Sequence, residues 1–179
     1  MNKLRILLIP VLTLMLLSNT ARAWDGRTYL GGWFSTKGVG VTAVFAKDSY
    51  FHEVRLAADL AGLIRGRADF PGIRAEWNMN YYFAGWTPYD GFRIRLYAGP
   101  GAMLGYVDDG DSGRGVTAAL SGTIGGAFWF FGPVCITVGF TGALGCHAAF
   151  TDSHDTTLTL YTTGLKNILT PEIGIRYGF

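Results

Sequence analysis

Charged side chains recur at alternate positions along several segments of the chain, and they are the first candidates for chemistry. In residues 53–60, Glu53, Arg55 and Asp59 alternate with apolar residues. Side chains at alternate positions of a strand share one face. The planar guanidinium group of arginine can engage a carboxylate through two hydrogen bonds, which suits ion pairs that are shielded from water. The residues with this placement are Glu53, Arg55, Asp59, Arg74, Glu76, Arg93, Arg95, Glu172 and Arg176.

Residue types used in nucleophilic catalysis lie in the last third of the chain. His147 is followed by Ser153, His154 and Asp155, and a further histidine, His52, lies far from them in the sequence. A catalytic triad requires the nucleophile to contact the base and the base to contact its orienting group, and consecutive positions do not supply that geometry. The sequence therefore predicts no catalytic residue and no enzyme activity.

An acidic loop is the candidate for a metal site. Residues 108–113 read Asp-Asp-Gly-Asp-Ser-Gly, and such oxygen ligands suit calcium. The loop departs from the EF-hand pattern, because Gly113 stands at an acidic position and Arg114 at the required glycine. Aspartate and glycine also serve turns well. We predict a turn-forming loop with no metal and no other cofactor, and calcium binding is the alternative.

The elements that must position these residues are strands. Apolar and polar residues alternate with a period of two through the chain, and no stretch after the N-terminal segment keeps helical spacing for long. The predicted fold class is all-β, an eight-stranded antiparallel up-and-down barrel. Its strands are predicted at 27–36, 38–47, 50–63, 73–85, 91–106, 115–130, 134–150 and 164–179.

The connections between the predicted strands alternate between short and long. Tight turns are predicted at 47–49, 85–90 and 131–133, and longer polar connections at 64–72, 107–114 and 151–163. Only the connection near Thr36 is unusually short for its place in this series. Barrels of the outer membrane have short periplasmic turns, longer external loops and an even number of strands. The alternation therefore favours a transmembrane barrel.

The first 23 residues have the features of an export signal. Lys3 and Arg5 precede an apolar run at 6–17, and residues 21–23 read Ala-Arg-Ala, a small-x-small cleavage site. This run is well short of the roughly 20 residues that a spanning helix needs. We expect residues 1–23 to be cleaved and residues 24–179 to form the barrel.

Removal of the signal leaves a nearly neutral chain. The whole sequence has 15 basic and 13 acidic residues, and three of the basic residues belong to the signal, so the mature net charge is −1. This balance argues against a nucleic-acid partner. Only Lys37, Lys47 and Lys166 remain as lysines, whereas a water-exposed surface usually carries more Lys and Glu.

The direction of the apolar face separates a soluble barrel from a membrane barrel. In residues 73–83, the odd-numbered positions are apolar and include Trp77 and Met79, while the even-numbered positions are polar and include Arg74 and Glu76. We call each such set of alternate positions, which shares one face of the strand, a parity. The polar parity of the predicted strands is largely Gly, Thr, Ser, Asn and Arg. An eight-stranded barrel has an interior just wide enough for side chains. We therefore predict that the apolar parity faces lipid and the polar parity faces the lumen.

Aromatic residues crowd around the predicted tight turns and the C-terminus. This placement indicates a girdle at one membrane interface, whereas a soluble aromatic core would spread along the strands. The predicted girdle comprises Phe45, Tyr50, Phe51, Tyr82, Phe83, Trp86, Tyr89, Phe92, Phe128, Trp129, Phe130, Phe131 and Tyr177.

The C-terminal segment carries a resemblance to a known family. Residues 173–179 read Ile-Gly-Ile-Arg-Tyr-Gly-Phe, and this ending looks like the terminal strand that the barrel-assembly machinery recognises. In architecture the mature chain resembles the small eight-stranded outer-membrane barrels of the OmpA transmembrane-domain and OmpX kind. The resemblance implies an outer-membrane location, insertion by that machinery, and Tyr177 and Phe179 as the assembly signal.

These features together predict a non-catalytic protein whose lumen is plugged by side chains and whose role is envelope-structural or surface-interacting. A narrow small-solute pore is one alternative, and a lipid A-modifying enzyme is the other, because small outer-membrane barrels include such enzymes. Arg65 and Arg67 are candidates for contacting lipopolysaccharide phosphates, with ordinary solvated loop charges as the alternative. We expect a monomer whose partners are outer-membrane lipid and lipopolysaccharide.

Overall fold

The strands dominate the structure of this chain. A computed structural model describes residues 27–108, 113–130, 132–150, 156–163 and 170–179. The predicted signal, residues 1–23, lies outside the described residues. The elements are β1 (Arg27–Ser35), β2 (Gly38–Ala46), β3 (Tyr50–Asp59), α1 (Ala61–Ile64), β4 (Gly72–Tyr89), β5 (Phe92–Asp108), β6 (Arg114–Phe130), β7 (Val134–Phe150), β8 (Thr156–Thr163) and β9 (Thr170–Gly178).

Antiparallel pairing closes these strands into a barrel. Each strand from β1 to β7 pairs with the next, and β9 pairs with both β7 and β1, which joins the two edges of the sheet. The segment β8 pairs with Ala143–Phe150 of β7, and β9 pairs with Val134–Thr141 of the same strand. The two segments therefore occupy one strand position, and the predicted fold class, a closed eight-stranded antiparallel barrel, is confirmed.

The hairpin formed by β4 and β5 is longer than predicted. Residues 85–90 were expected to be a tight turn, but β4 continues to Tyr89 and the chain turns at Asp90-Gly91, where Gly91 has a φ of 86°. Asp-Gly is a strong hairpin-turn dipeptide, so this turn was marked in the sequence. Strand β3 pairs with β4 only as far as Tyr81, so the end of the hairpin extends past β3.

Two other boundaries differ from the prediction. Strand β3 ends at Asp59, whose carboxylate accepts a hydrogen bond from the backbone N–H of Ala61 (3.0 Å), the first residue of the short helix α1. Residues 156–163 were predicted as part of a loop but form β8, in which Thr, Leu and Tyr suit a pleated surface. Among the described residues, no helix is long and apolar enough to cross a membrane.

The two parities of the strands face opposite directions, as the sequence predicts. Arg74 and Glu76 are buried in the interior, whereas Ile73 is 64% exposed and Trp77 is 46% exposed on the outside. Leu120 on β6, at 74% exposed, lies on the same outer surface. This surface is a continuous apolar belt that also includes Val41, Leu56, Leu104, Ile124, Val138, Leu144, Leu160, Ile173 and Ile175. A water-soluble barrel would have the reverse arrangement, with polar residues outside.

Candidate functional site: the charged interior of the barrel

Arg55 on β3 is the centre of an ion-pair network inside the barrel. Its Nη1 and Nη2 atoms each lie 2.8 Å from a carboxylate oxygen of Glu172, which comes from β9. Its Nε atom lies 2.9 Å from Oε1 of Glu53. Arg176, which lies further along β9 on the same face as Glu172, forms another ion pair with Glu53. All four side chains are buried, so each charge depends on its partners rather than on water.

A second set of charges extends the network toward the long-loop end, where the longer connections lie. Arg74 on β4 pairs through Nε with Oε1 of Glu76 (2.7 Å) and through Nη1 with Oδ2 of Asp59 (3.4 Å). Oε2 of Glu76 lies 3.5 Å from Nη1 of Arg55, which joins the two sets. Three arginines and four carboxylates therefore form one connected network, branched at Arg55, through the middle of the barrel.

Neutral side chains fix the positions of these charges. Thr42 donates a hydrogen bond to Glu53 (2.8 Å), and both Trp33 Nε1 (3.1 Å) and Thr141 Oγ1 (3.0 Å) donate to Glu172. The Trp33 ring also lies 5.2 Å from the guanidinium carbon of Arg55 and at the same distance from that of Arg74. A buried carboxylate that accepts several hydrogen bonds is held rigidly, because exchanging partners would break strong charge-assisted bonds. The network therefore has the construction of a packed core.

The structure does not bring Arg93 and Arg95 into this network. Both lie near the short-turn end, which carries the tight turns. Arg93 lies over the ring of Trp129 (4.5 Å), and Arg95 lies over Tyr82 (4.9 Å) and donates to the backbone carbonyl of Asp48 (2.8 Å). Within the described residues neither forms an ion pair. Aromatic faces and a carbonyl serve as their partners instead of carboxylates.

An aromatic cluster fills the interior at the short-turn end. Its buried members are Tyr29, Val44, Phe51, Tyr97, Ala127, Trp129 and Cys135, with Tyr82 packed against them. The predicted girdle wrongly included Phe51, Tyr82 and Trp129, which point inward. Phe51 and Tyr82 share the parity of the interior charges on β3 and β4, and Trp129 pairs with Arg93, whose guanidinium group lies over its ring. Phe83, Trp86 and Tyr177, by contrast, are more than half exposed on the outside. The interior plug thus has two layers, one aromatic and one ionic.

The space left in the ionic layer is small. A cavity of about 20 Å³ is lined by Trp33, Arg74, Glu76 and Glu172, among others. A single water needs roughly 10–15 Å³ of such volume, so the cavity has room for one or two water molecules. This cavity therefore admits only groups of that size.

His147 takes part in interior packing at the long-loop end. Its Nδ1 lies 2.7 Å from the Thr117 hydroxyl, its Nε2 lies 3.1 Å from the Gly113 carbonyl, and its ring stacks near Tyr161 (6.3 Å between centroids). These contacts use both ring nitrogens. Ser153, His154 and Asp155 lie outside the described residues, and so do positions 109–112 of the acidic loop. In the part of the chain that is described, no group of three or more His, Cys, Asp or Glu is placed to hold a metal ion.

The remaining predicted residues lie on the outer surface. Arg65 and Arg67 are exposed directly after α1, at the long-loop end. Arg114, which the sequence did not single out, lies at the same end and donates to the carbonyl of Phe70 while its guanidinium group lies 3.8 Å from that ring. Tyr177 and Phe179 are exposed at the short-turn end, with ring centroids 5.3 Å apart.

Comparisons with known proteins add little to this picture. No protein-family model matches the chain, and no curated protein sequence matches it. Among solved structures, it is similar to a major outer membrane protein from Thermus thermophilus, with 9% sequence identity and a TM-score of 0.46. The alignment covers 86% of this chain and 99% of that one. The assignment of the barrel fold rests on the strand pairing alone.

Proposed function

We propose that this chain is a monomeric, non-catalytic β-barrel protein of a Gram-negative outer membrane, with an envelope-structural or surface-interacting role. The observation that carries the proposal is the pairing of an apolar outer belt with an interior of ion-paired side chains. Exposed residues such as Leu120 and Ile73 would be costly in water as one continuous surface. In a bilayer the same belt is solvated by lipid, and a closed barrel leaves no strand edge unpaired in the hydrocarbon.

The connections give the proposed orientation. The short turns and the exposed aromatic side chains Trp86, Tyr89 and Tyr177 would lie at the periplasmic interface, and α1 and the longer connections would lie outside. In this orientation the barrel-assembly machinery would engage Tyr177 and Phe179 during insertion. Arg65 and Arg67 would face the lipopolysaccharide leaflet, whose phosphates accept paired hydrogen bonds from guanidinium groups.

The buried charges favour a plugged lumen over a pore. A conducting pore needs a continuous water path, whereas Arg55, Glu53 and Glu172 satisfy one another directly across the interior. The cavity beside them has room for one or two water molecules. Opening a path would require several buried ion pairs to separate, and unpaired charges in such an environment are costly.

Single-channel recording in planar bilayers tests the plug. We expect the purified, folded protein, recognised by a change in its gel migration on heating, to show no discrete openings. A general porin of known conductance, recorded in the same membranes, serves as the control for the sensitivity of the assay. Discrete, ion-selective openings of the unaltered protein would overturn the plugged lumen and favour the small-solute pore.

Two further measurements test the placement and the absence of catalysis. The mature chain should require detergent and should migrate differently on gels before and after heating, and a soluble chain without that shift would contradict the membrane placement. Mass spectrometry of lipid A should give the same acyl pattern from cells with and without the protein. An altered pattern would support the lipid A-modifying enzyme instead.

A further inference from the structure

A recess on the barrel wall at the short-turn end collects basic groups. It is formed where β1, β2 and β3 begin or end, and its lining includes Arg27, Thr28, Phe45, Lys47, Tyr50 and His52. No acidic residue is among the described residues that line it. This composition contrasts with the interior, where every arginine of the ionic layer contacts a carboxylate.

The Tyr50 ring holds two of the basic groups side by side. The Lys47 Nζ atom lies 5.6 Å from the centroid of this ring, and the His52 ring meets it edge-on with 5.6 Å between centroids. The pairing of β1 with β2 places Arg27 opposite Ala46, next to Lys47 in the chain. Three residues with basic side chains therefore line one small recess in the barrel wall.

Aromatic side chains of the outer surface support this region. His52 stacks on Trp77, with 5.8 Å between centroids and 15° between ring planes, and Tyr50 lies 6.1 Å from Tyr81. Trp77 and Tyr81 are each 46% exposed, on the apolar belt. His52 therefore lies on the outward face of β3. Ionisable side chains are costly on a surface that faces lipid, and where they occur they usually have a function.

The charges of the recess point to an anion. Within the described residues, neither Arg27 nor Lys47 takes part in an ion pair. The recess holds about 10 Å³, which is room for one oxygen-sized group. A phosphate group could therefore place one oxygen inside while its other oxygens stay at the mouth, beside the exposed Arg27 and Lys47 side chains.

We infer that this recess binds the phosphate of an anionic phospholipid in the leaflet next to the short turns. The inference rests on the membrane placement proposed above. The headgroup would lie at Lys47 and Arg27, level with the aromatic interface, and the acyl chains would run along the apolar belt past Trp77. A lipid is favoured over a free anion because the same strands offer this apolar surface directly beside the basic groups.

Fluorescence quenching at Trp77 tests the site locally. The barrel is reconstituted in phosphatidylcholine vesicles that contain a small fraction of phosphatidylglycerol brominated in its acyl chains, or the same fraction of brominated phosphatidylcholine. The Trp77 signal is the difference between the protein and its Trp77→Phe variant. We expect the brominated anionic lipid to quench Trp77 at a lower fraction than the zwitterionic lipid. Removing the charge of Arg27 or of Lys47 should weaken that preference roughly fivefold.

Paired variants separate this site from general surface charge. Arg27→Gln with Lys47→Gln should abolish the preference, whereas Arg65→Gln with Arg67→Gln, an equal loss of charge at the opposite end, should leave it unchanged. Equal quenching by the two lipids, or equal loss in both variants, would overturn the site. Displacement of the brominated lipid by millimolar inorganic phosphate would assign the recess to free anions and overturn the lipid assignment.

The membrane placement is checked on the same samples. Each variant should float with the vesicles and show the heat-dependent gel shift before its quenching is measured. A protein that inserts but shows no lipid preference contradicts the phospholipid site alone. A protein that never inserts contradicts the proposed function.

Discussion

Arg55 and Glu172 form a two-point ion pair across the barrel, with each Nη atom 2.8 Å from one carboxylate oxygen. The residues come from β3 and β9, which are separated in the sheet by β2 and β1. The pair therefore connects strands that share no backbone hydrogen bonds. Its planar geometry also limits how far those strands can move relative to each other.

Arg55→Met should destabilise the barrel strongly, because Glu53 and Glu172 would each lose a buried partner. Breaking a buried ion pair by removing one partner typically costs about 3–5 kcal/mol of unfolding free energy. Urea unfolding in detergent micelles, followed by tryptophan fluorescence, measures this cost. Arg65→Met removes an exposed arginine and should change the same free energy by less than about 0.5 kcal/mol. A similar small change for both variants would show that the network contributes little to stability.

Arg55→Met and Glu172→Met should not have additive effects. In the double variant Glu172, one of the carboxylates that Arg55→Met deprives of its partner, is also gone, so the combined loss should be smaller than the sum of the single losses. Residues in one salt-bridge network usually couple by about 0.5–3 kcal/mol. The same urea unfolding of the four proteins of this cycle gives the coupling. Additive losses would indicate that the two side chains act independently despite their contact.

The alternation of residues was enough to predict which side chains of β3 and β4 face inward. The same alternation places Phe51 in the interior, because Phe51 shares the face of Glu53. Its position close to a turn led instead to its assignment to the aromatic girdle. The interior partners of Arg93 were not predictable, because the sequence does not show that Trp129 lies under its guanidinium group. Partners across a lumen depend on barrel closure and side-chain direction as well as on strand periodicity.

The eighth strand shows a second limit of sequence periodicity. Ala143 pairs with Thr163 and Thr141 pairs with Thr170, so positions two apart on β7 face positions seven apart on the eighth strand. A change of register of this kind leaves the alternation on either side intact. The sequence indicated a strand at 164–179 but assigned 156–163 to a loop, so it did not show that two segments share one partner strand.

Leu120→Arg should destabilise the barrel in lipid, because Leu120 is 74% exposed on the outer belt. Arginine on the lipid face near the bilayer midplane typically costs about 2–4 kcal/mol. The unfolding free energy in phospholipid vesicles measures this effect, and Leu120→Phe, which stays apolar, should be nearly neutral. A water-exposed Leu120 would tolerate arginine, so an unchanged free energy for Leu120→Arg would contradict a lipid-facing position.

Phe179→Ala should slow assembly more than it lowers stability. The Phe179 side chain is 63% exposed and contacts the Tyr177 ring, an aromatic contact worth about 0.5–1.5 kcal/mol. Its backbone N–H still donates to the Thr28 carbonyl (2.9 Å) in the variant, so closure of β9 on β1 is retained. We therefore expect the purified Phe179→Ala variant to have a nearly normal free energy of unfolding. In cell envelopes, after a short pulse of synthesis, a smaller fraction of the variant should show the gel shift on heating that marks the folded barrel.

The control for this prediction is Phe130→Ala, which removes a ring that is 39% exposed at the end of β6. Phe130 contacts Phe92 much as Phe179 contacts Tyr177, with centroids 5.0 Å apart, so the two variants lose a comparable aromatic contact. If the assembly machinery recognises the terminal strand, assembly after the pulse should be slower only for Phe179→Ala. Equal slowing of both variants would assign the effect to lost aromatic packing at the interface and contradict an assembly signal at the C-terminus.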